Sequence, residues 1–177
     1  MKARLKITLE CNRSCPYCIN KSKEYRDKWI TINSIHTPDW TKYSSIVVSG
    51  GEPTILHINE LHTILYALRR TTANKNTPIY LQTNGDLLTK SIVKELDNYI
   101  DGIGLSIHNL DEFRRLKTRF EDILRIKPIQ LYVQDTMLSD HGDYFPSLFD
   151  KYDFNLRVWK DGEFDKDEDI FILTPEK

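Results

Sequence analysis

The sequence predicts an α/β protein, a partial, open (β/α)6 barrel built on a parallel sheet. Two observations predict it. Short apolar runs alternate with amphipathic stretches at a spacing of roughly 25–30 residues, the rhythm of right-handed βαβ units. Six such units fill the 177 residues, whereas a closed eight-unit barrel typically needs about 250. The sheet is therefore expected to curl without closing, as a single domain over residues 1–177.

Each element has its own signal. Ala3–Leu9 alternates, with Leu5, Ile7 and Leu9 on one face, which is strand period. Ser45–Ser49 is a β-branched run ending at two glycines, as a buried strand would. Ile58–Arg70 sets Ile58, Leu61, Ile64, Leu65 and Leu68 on one helical face. Pro78–Thr83 is the third strand, closed by an Asn84-Gly85 turn signal. Lys90–Ile100 has helical spacing, Gly102–Ile107 is a strand, and Asp111–Leu124 is a helix through Phe113, Leu116, Phe120, Ile123 and Leu124. Ile129–Val133 and Phe154–Trp159 complete the six strands, with a short helix at Tyr144–Lys151 between them. A small terminal strand is expected at Ile170–Leu173, after an acidic loop, Asp161–Asp169.

Composition excludes several function classes. Lys and Arg number 25 against 26 Asp and Glu, a net charge of −1, so no basic excess exists to neutralise phosphates and nucleic acid is not indicated. No apolar run approaches the roughly 18–20 residues of a membrane span. The start, MKARLKITLEC, lacks the apolar core of a signal peptide. The expectation is a soluble, cytoplasmic protein with no membrane partner. Its three cysteines all lie within eight residues, an odd and clustered set that points to a reducing compartment and a ligand role.

In parallel α/β sheets the ligand sits beyond the carboxyl ends of the strands, so the residues that follow each strand carry the functional reading. After the first strand come Cys11, Cys15 and Cys18. Three thiolates on one tight loop suit three irons of a [4Fe–4S] cluster whose fourth iron has no protein ligand. The alternative is a Cys3His zinc site. His36, His57, His62, His108 and His141 are available to it, but none sits at the spacing of a zinc knuckle. The second strand is followed by Gly50-Gly51-Glu52-Pro53, the third ends in Gln82-Thr83-Asn84-Gly85, and the fourth in Ser106-Ile107-His108.

These four signals, in this order, resemble the radical S-adenosylmethionine (radical SAM) superfamily, with its C-x3-C-x2-C loop and an aromatic, Tyr17, before the last cysteine. The resemblance covers about 100 of the 177 residues. It implies a [4Fe–4S] cluster on Cys11, Cys15 and Cys18 and S-adenosyl-L-methionine (AdoMet) as the second cofactor. It implies that Gly50 and Gly51 let backbone approach the methionyl amine, beside Glu52, as charge or tether, and Pro53. Thr83 and Asn84 would bond the methionyl carboxylate or the ribose, unless they only form a turn. Ser106 would meet the ribose hydroxyls, and His108 is either a second contact or a loop histidine. Tyr17 would lie by the adenine or shield the cluster. Adenine contacts are implied around Gln134 and Val158-Trp159, where the competing reading is packing. The basic residues Arg114, Arg115, Lys117 and Arg119 read as a solvated helix face.

The implied activity is reductive cleavage of AdoMet to methionine and a 5′-deoxyadenosyl radical, which takes hydrogen from a substrate such as a peptide or protein. The implied electron donor is a flavodoxin or ferredoxin. No cysteine lies outside the triplet, so this chain offers no ligands for a second cysteine-held cluster. The chain resembles the bare catalytic core, which the substrate or a second subunit is expected to cover, with the tail Asp161–Lys177 as a partial lid. Two readings compete: an activase of a glycyl radical enzyme, and a non-catalytic iron–sulfur or zinc-binding protein.

Overall fold

The computed structural model describes residues 1–124, 126–134, 155–159 and 167–174. Its strands are β1 (Lys2–Lys6), β2 (Trp29–Ile32), β3 (Ile46–Ser49), β4 (Ile79–Thr83), β5 (Gly102–Ile107), β6 (Ile129–Gln134), β7 (Asn155–Trp159) and β8 (Glu168–Leu173). The helices are α1 (Lys23–Arg26), α2 (Ile58–Thr72), α3 (Lys90–Leu96) and α4 (Leu110–Leu124). The eight strands make one sheet in the order β2-β8-β1-β3-β4-β5-β6-β7, and every neighbouring pair is parallel. The end strands β2 and β7 do not pair with each other, so the barrel is open.

Helix faces bury as the periodicity predicts. Leu61, Leu65, Leu68 and Thr72 of α2, Val93 and Leu96 of α3, and Phe113, Leu116 and Ile123 of α4 all pack on the sheet. Local capping starts each helix. The Thr89 hydroxyl accepts from the Ile92 N–H at α3, and Asn109 Oδ1 accepts from the Glu112 N–H at α4. Among the described residues no helix is long and apolar enough to cross a membrane.

Three expectations are corrected. The first strand stops at Lys6, and Leu9 is 52% exposed on the loop beyond it. The six-strand count misses β2, and the terminal strand is larger than expected: β8 is inserted between β2 and β1. Residues Glu168–Leu173 are thus built into the sheet and do not form a lid. Trp40, Tyr43 and Phe171 form an aromatic cluster that anchors this strand, and Tyr43 Oη donates to Asp169 Oδ2 at 2.6 Å. The expected helix Tyr144–Lys151 and the loop up to Lys166 lie outside the described residues.

Candidate functional site

The carboxyl ends of the strands surround a cavity of about 370 Å³. All three cysteines line it, and none is in a disulfide. They share one loop after β1 whose backbone is held from both sides. The Arg13 N–H donates to Cys11 Sγ at 3.4 Å, and Lys21 Nζ donates to the Cys15 carbonyl at 2.7 Å. Among the described residues no three His, Cys, Asp or Glu side chains converge closely enough to hold a single metal ion. Three free thiols on one cavity wall fit the donor set of a three-cysteine iron–sulfur cluster, since thiolates are its ligands.

Gly50 and Gly51 have a clear structural task. Gly50 adopts φ 152°. A Cβ there would lie 2.1 Å from the Thr8 carbonyl oxygen, and one on Gly51 would lie 2.0 Å from that of Glu10. The Gly51 and Glu52 N–H groups donate to those same two carbonyls, both at 2.8 Å. The glycine pair therefore zips its turn to the entry of the cysteine loop. The space a Cβ would take belongs to protein backbone, which by itself requires glycine at both positions. Gly50 lines the cavity, and its carbonyl accepts from Asn20 Nδ2 at 2.8 Å.

Glu52 is 1% exposed and acts as a tether. Its Oε1 accepts from the Thr54 N–H at 3.1 Å, the Thr54 hydroxyl at 2.5 Å and the Thr83 hydroxyl at 2.6 Å. Its Oε2 accepts from the Asn84 N–H at 2.7 Å. Such charge-assisted bonds lock the turn after β3 to the turn after β4. Pro53 is buried in the short 3-10 turn that follows and does not line the cavity.

Thr83 and Asn84 line the cavity but spend much of their hydrogen-bonding capacity on the turn. Thr83 Oγ1 accepts from the Gly85 N–H at 3.0 Å, Asn84 Oδ1 from the Asp86 N–H at 3.0 Å, and Asn84 Nδ2 donates to Asn12 Oδ1 at 2.8 Å. Ser106 also lines the cavity, where its hydroxyl accepts from Gln82 Nε2 at 3.2 Å. Tyr17 and His108 face the cavity together, their rings 5.0 Å apart and inclined by 35°. Burial, with the neighbouring Cys15, pushes the Tyr17 hydroxyl up to about 12, so it stays protonated. Val158 lines the cavity while 51% exposed, whereas the Gln134 and Trp159 side chains lie outside the described residues.

Several residues around the cavity carry no motif in the sequence. Arg13, between the first two cysteines, pairs with Asp86 at 2.7 Å and Glu112 at 3.1 Å and donates to the Asn84 carbonyl at 3.3 Å. It thereby joins the cysteine loop to the turn after β4 and to α4. Arg115, one of the four basic α4 residues read as a solvated face, also pairs with Asp86 at 2.6 Å. The Arg13 hydrogen bond lowers the Asp86 pKa despite burial. Burial alone would raise Glu112, but hydrogen bonds from His108 and the Arg13 charge outweigh it, so its pKa is lowered too. Both carboxylates are ionised at neutral pH and hold Arg13 in place.

The second unanticipated group is the inner face of β1. Arg4 pairs with Glu168 Oε2 at 2.7 Å and donates to Gln82 Oε1 at 2.5 Å. Lys6 is 2% exposed, and burial, with Arg4 beside it, drops its pKa to about 7, against the opposing pull of Cys18. The signal was present: two cations alternate with Ala3, Leu5 and Ile7 in a strand of a parallel sheet, where both faces are covered.

The chain is thus an open parallel α/β barrel with a three-cysteine loop at its carboxyl end, tied by backbone to a Gly-Gly-Glu-Pro turn. The chain belongs to the Radical SAM superfamily, whose sequence pattern matches residues 5–128. It is 33% identical over 118 residues to the probable GTP 3′,8-cyclase of Methanococcus aeolicus, covering 61% of this chain and 37% of that protein. Over 119 residues it is 26% identical to the S-adenosylmethionine-dependent nucleotide dehydratase of a Thermoplasmatales archaeon, covering 62% and 38%. Among solved structures, native anSMEcpe with bound AdoMet superposes with a TM-score of 0.64 at 18% identity, covering 93% of this chain and 54% of that one. The similarity confirms the partial-barrel fold. The chain spans under two fifths of the length of those curated relatives and about half of that solved chain.

Proposed function

We propose that this chain binds a [4Fe–4S] cluster through Cys11, Cys15 and Cys18 and uses it to generate a radical from AdoMet. The observation that carries the reading is the convergence of three free thiols, the Gly50 carbonyl, Asn84, Ser106 and the Tyr17–His108 pair on one cavity. A bound cluster supplies one electron, received from a reduced flavodoxin or ferredoxin, that cleaves AdoMet to methionine and a 5′-deoxyadenosyl radical able to take hydrogen from the substrate.

The residues of this chain then have separable tasks. Arg13, with Asp86 and Glu112, fixes the cysteine loop. Glu52 and the glycine pair fix the facing turn, so that the Gly50 carbonyl is presented to an amine. Ser106 and Asn84 meet ribose or carboxylate oxygens, and the Tyr17 ring, beside His108, offers an aromatic surface to a purine. Val158 marks the side on which the cavity is open. The substrate itself, a peptide or protein segment included, or a second subunit covers that side and keeps water from the radical.

The test is anaerobic. The protein is reconstituted with iron and sulfide, reduced with dithionite and given AdoMet, and 5′-deoxyadenosine is measured by chromatography. Stoichiometric or greater 5′-deoxyadenosine per chain is expected. A brown, cluster-loaded protein that binds AdoMet and yields none over hours would make the chain a binding protein.

A further inference from the structure

The barrel wall carries charge that the cofactor contacts leave unused. The interior of a closed eight-stranded α/β barrel is ordinarily filled by branched apolar side chains. Here Lys2, Arg4 and Lys6 of β1 line the cavity, with Gln82 of β4, Tyr132 of β6 and Glu168 of β8. Arg4 is matched in charge by Glu168. Lys6 is not matched. Its Nζ donates to the amide oxygen of Asn20 at 2.5 Å and stands 4.8 Å over the Tyr25 ring and 5.2 Å over the Trp29 ring. Among the described residues no carboxylate lies within ion-pair distance of it.

A buried lysine held by one amide and two aromatic faces carries its charge only at a cost, which is why burial lowers its pKa to about 7. Such costs persist at sites that act on something. Cys18 and Glu168 favour the charged form only through space, without a hydrogen bond to Nζ, so direct contact with an oxyanion is what the site lacks among the described residues. AdoMet does not supply it as a whole, because its sulfonium and ammonium outweigh its one carboxylate. Lys6 also turns towards Tyr25 and Trp29, on the β2 and β8 side of β1, while Thr83, Asn84 and Ser106 lie on the opposite side, at β4 and β5.

We propose that Lys6 receives an oxyanion of the substrate, a carboxylate or a phosphate, inside the barrel beside Asn20 and Tyr25. The inference rests on the radical reading of this site and names its substrate class. Lys6 is a specificity residue that holds the anionic end of the molecule and so orients the part that faces the cofactors.

The test uses cluster-loaded, AdoMet-saturated protein and two probes, pyrophosphate and succinate, with binding followed by calorimetry. Saturable binding of one probe or both is expected, pyrophosphate alone marking a phosphate substrate and succinate alone a carboxylate one. Lys6→Met should weaken that binding at least tenfold and Lys6→Arg should keep it within about threefold, while AdoMet affinity should fall far less than probe affinity in Lys6→Met, any loss passing through Asn20, which also holds the Gly50 carbonyl. Lys6→Met should also raise the thermal midpoint, since an apolar side chain replaces a buried cation; Lys6→Gln serves as a second variant if it does not fold. Absence of binding by both probes would overturn the proposal, as would binding indifferent to Lys6→Met. A loss of AdoMet affinity in Lys6→Met as large as the loss of probe binding would overturn it too, by assigning Lys6 to the cofactor. If wild-type protein makes no 5′-deoxyadenosine yet binds a probe through Lys6, the radical reading fails and the anion site stands.

Discussion

Cys15→Ala protein, purified and reconstituted beside the wild type, will lack the broad absorbance of a [4Fe–4S] cluster and will form no 5′-deoxyadenosine. The expected effect is a complete loss, because a three-cysteine site has no ligand to spare and none of the five histidines sits at the short spacing that would replace a thiolate. The fold should survive. Cys15 is half-buried on a loop, away from the cluster of apolar side chains between sheet and helices. The thermal midpoint of the metal-free variant should stay within about 3 °C of metal-free wild type. Iron analysis, visible absorbance and circular dichroism check all three statements. A variant that retains its cluster would show that Cys15 is not a ligand.

Gly51→Ala should be among the most damaging single-methyl changes at the described residues. The added Cβ would fall 2.0 Å from the Glu10 carbonyl oxygen and 2.6 Å from that of Leu9. The obstruction is backbone, which cannot rotate aside like a side chain. Relief requires the turn after β3 to separate from the cysteine loop, breaking the Gly51 N–H to Thr8 and Glu52 N–H to Glu10 bonds. A loss of about 3 kcal/mol in unfolding free energy is expected, at the upper end for overpacking. The same separation displaces the Gly50 carbonyl from the cysteine loop, so AdoMet affinity should fall more than tenfold even in molecules that fold. Denaturant titration gives the first quantity and equilibrium binding the second. Wild-type stability and affinity in this variant would mean that the two loops do not meet as described.

What was legible in the sequence, and what was not, follows from the range of the interactions. The strand and helix faces are local patterns, and Leu61, Leu65 and Leu68 bury as their spacing implies. The motif residues stand at strand ends because the chain order alone puts them there. β2 left no comparable trace. It is four residues long, Trp29–Ile32, with Ile30 exposed, and it pairs with Ile170–Leu173 at the far end of the chain. No window of sequence contains both partners.

The inner face of β1 was hidden for a different reason. In an amphipathic strand, alternating cations read as the solvent side, whereas here that side is the wall of the cavity and Lys6 is 2% exposed. Arg13 was missed because its partners, Asp86 and Glu112, are about 70 and 100 residues away and converge only when the strands align. The glycine pair is visible as a motif, but its backbone contacts are not. Its geometry answers to the neighbouring backbone of Thr8 and Glu10.

The most direct measurement is electron paramagnetic resonance of the reduced, reconstituted protein before and after addition of AdoMet. Binding through three cysteines leaves one iron for the methionyl amine and carboxylate, so the account predicts about four irons per chain and a reduced-cluster signal whose g-values shift on AdoMet addition. A cluster signal indifferent to AdoMet, or a single zinc ion per chain with no cluster formed, would contradict it.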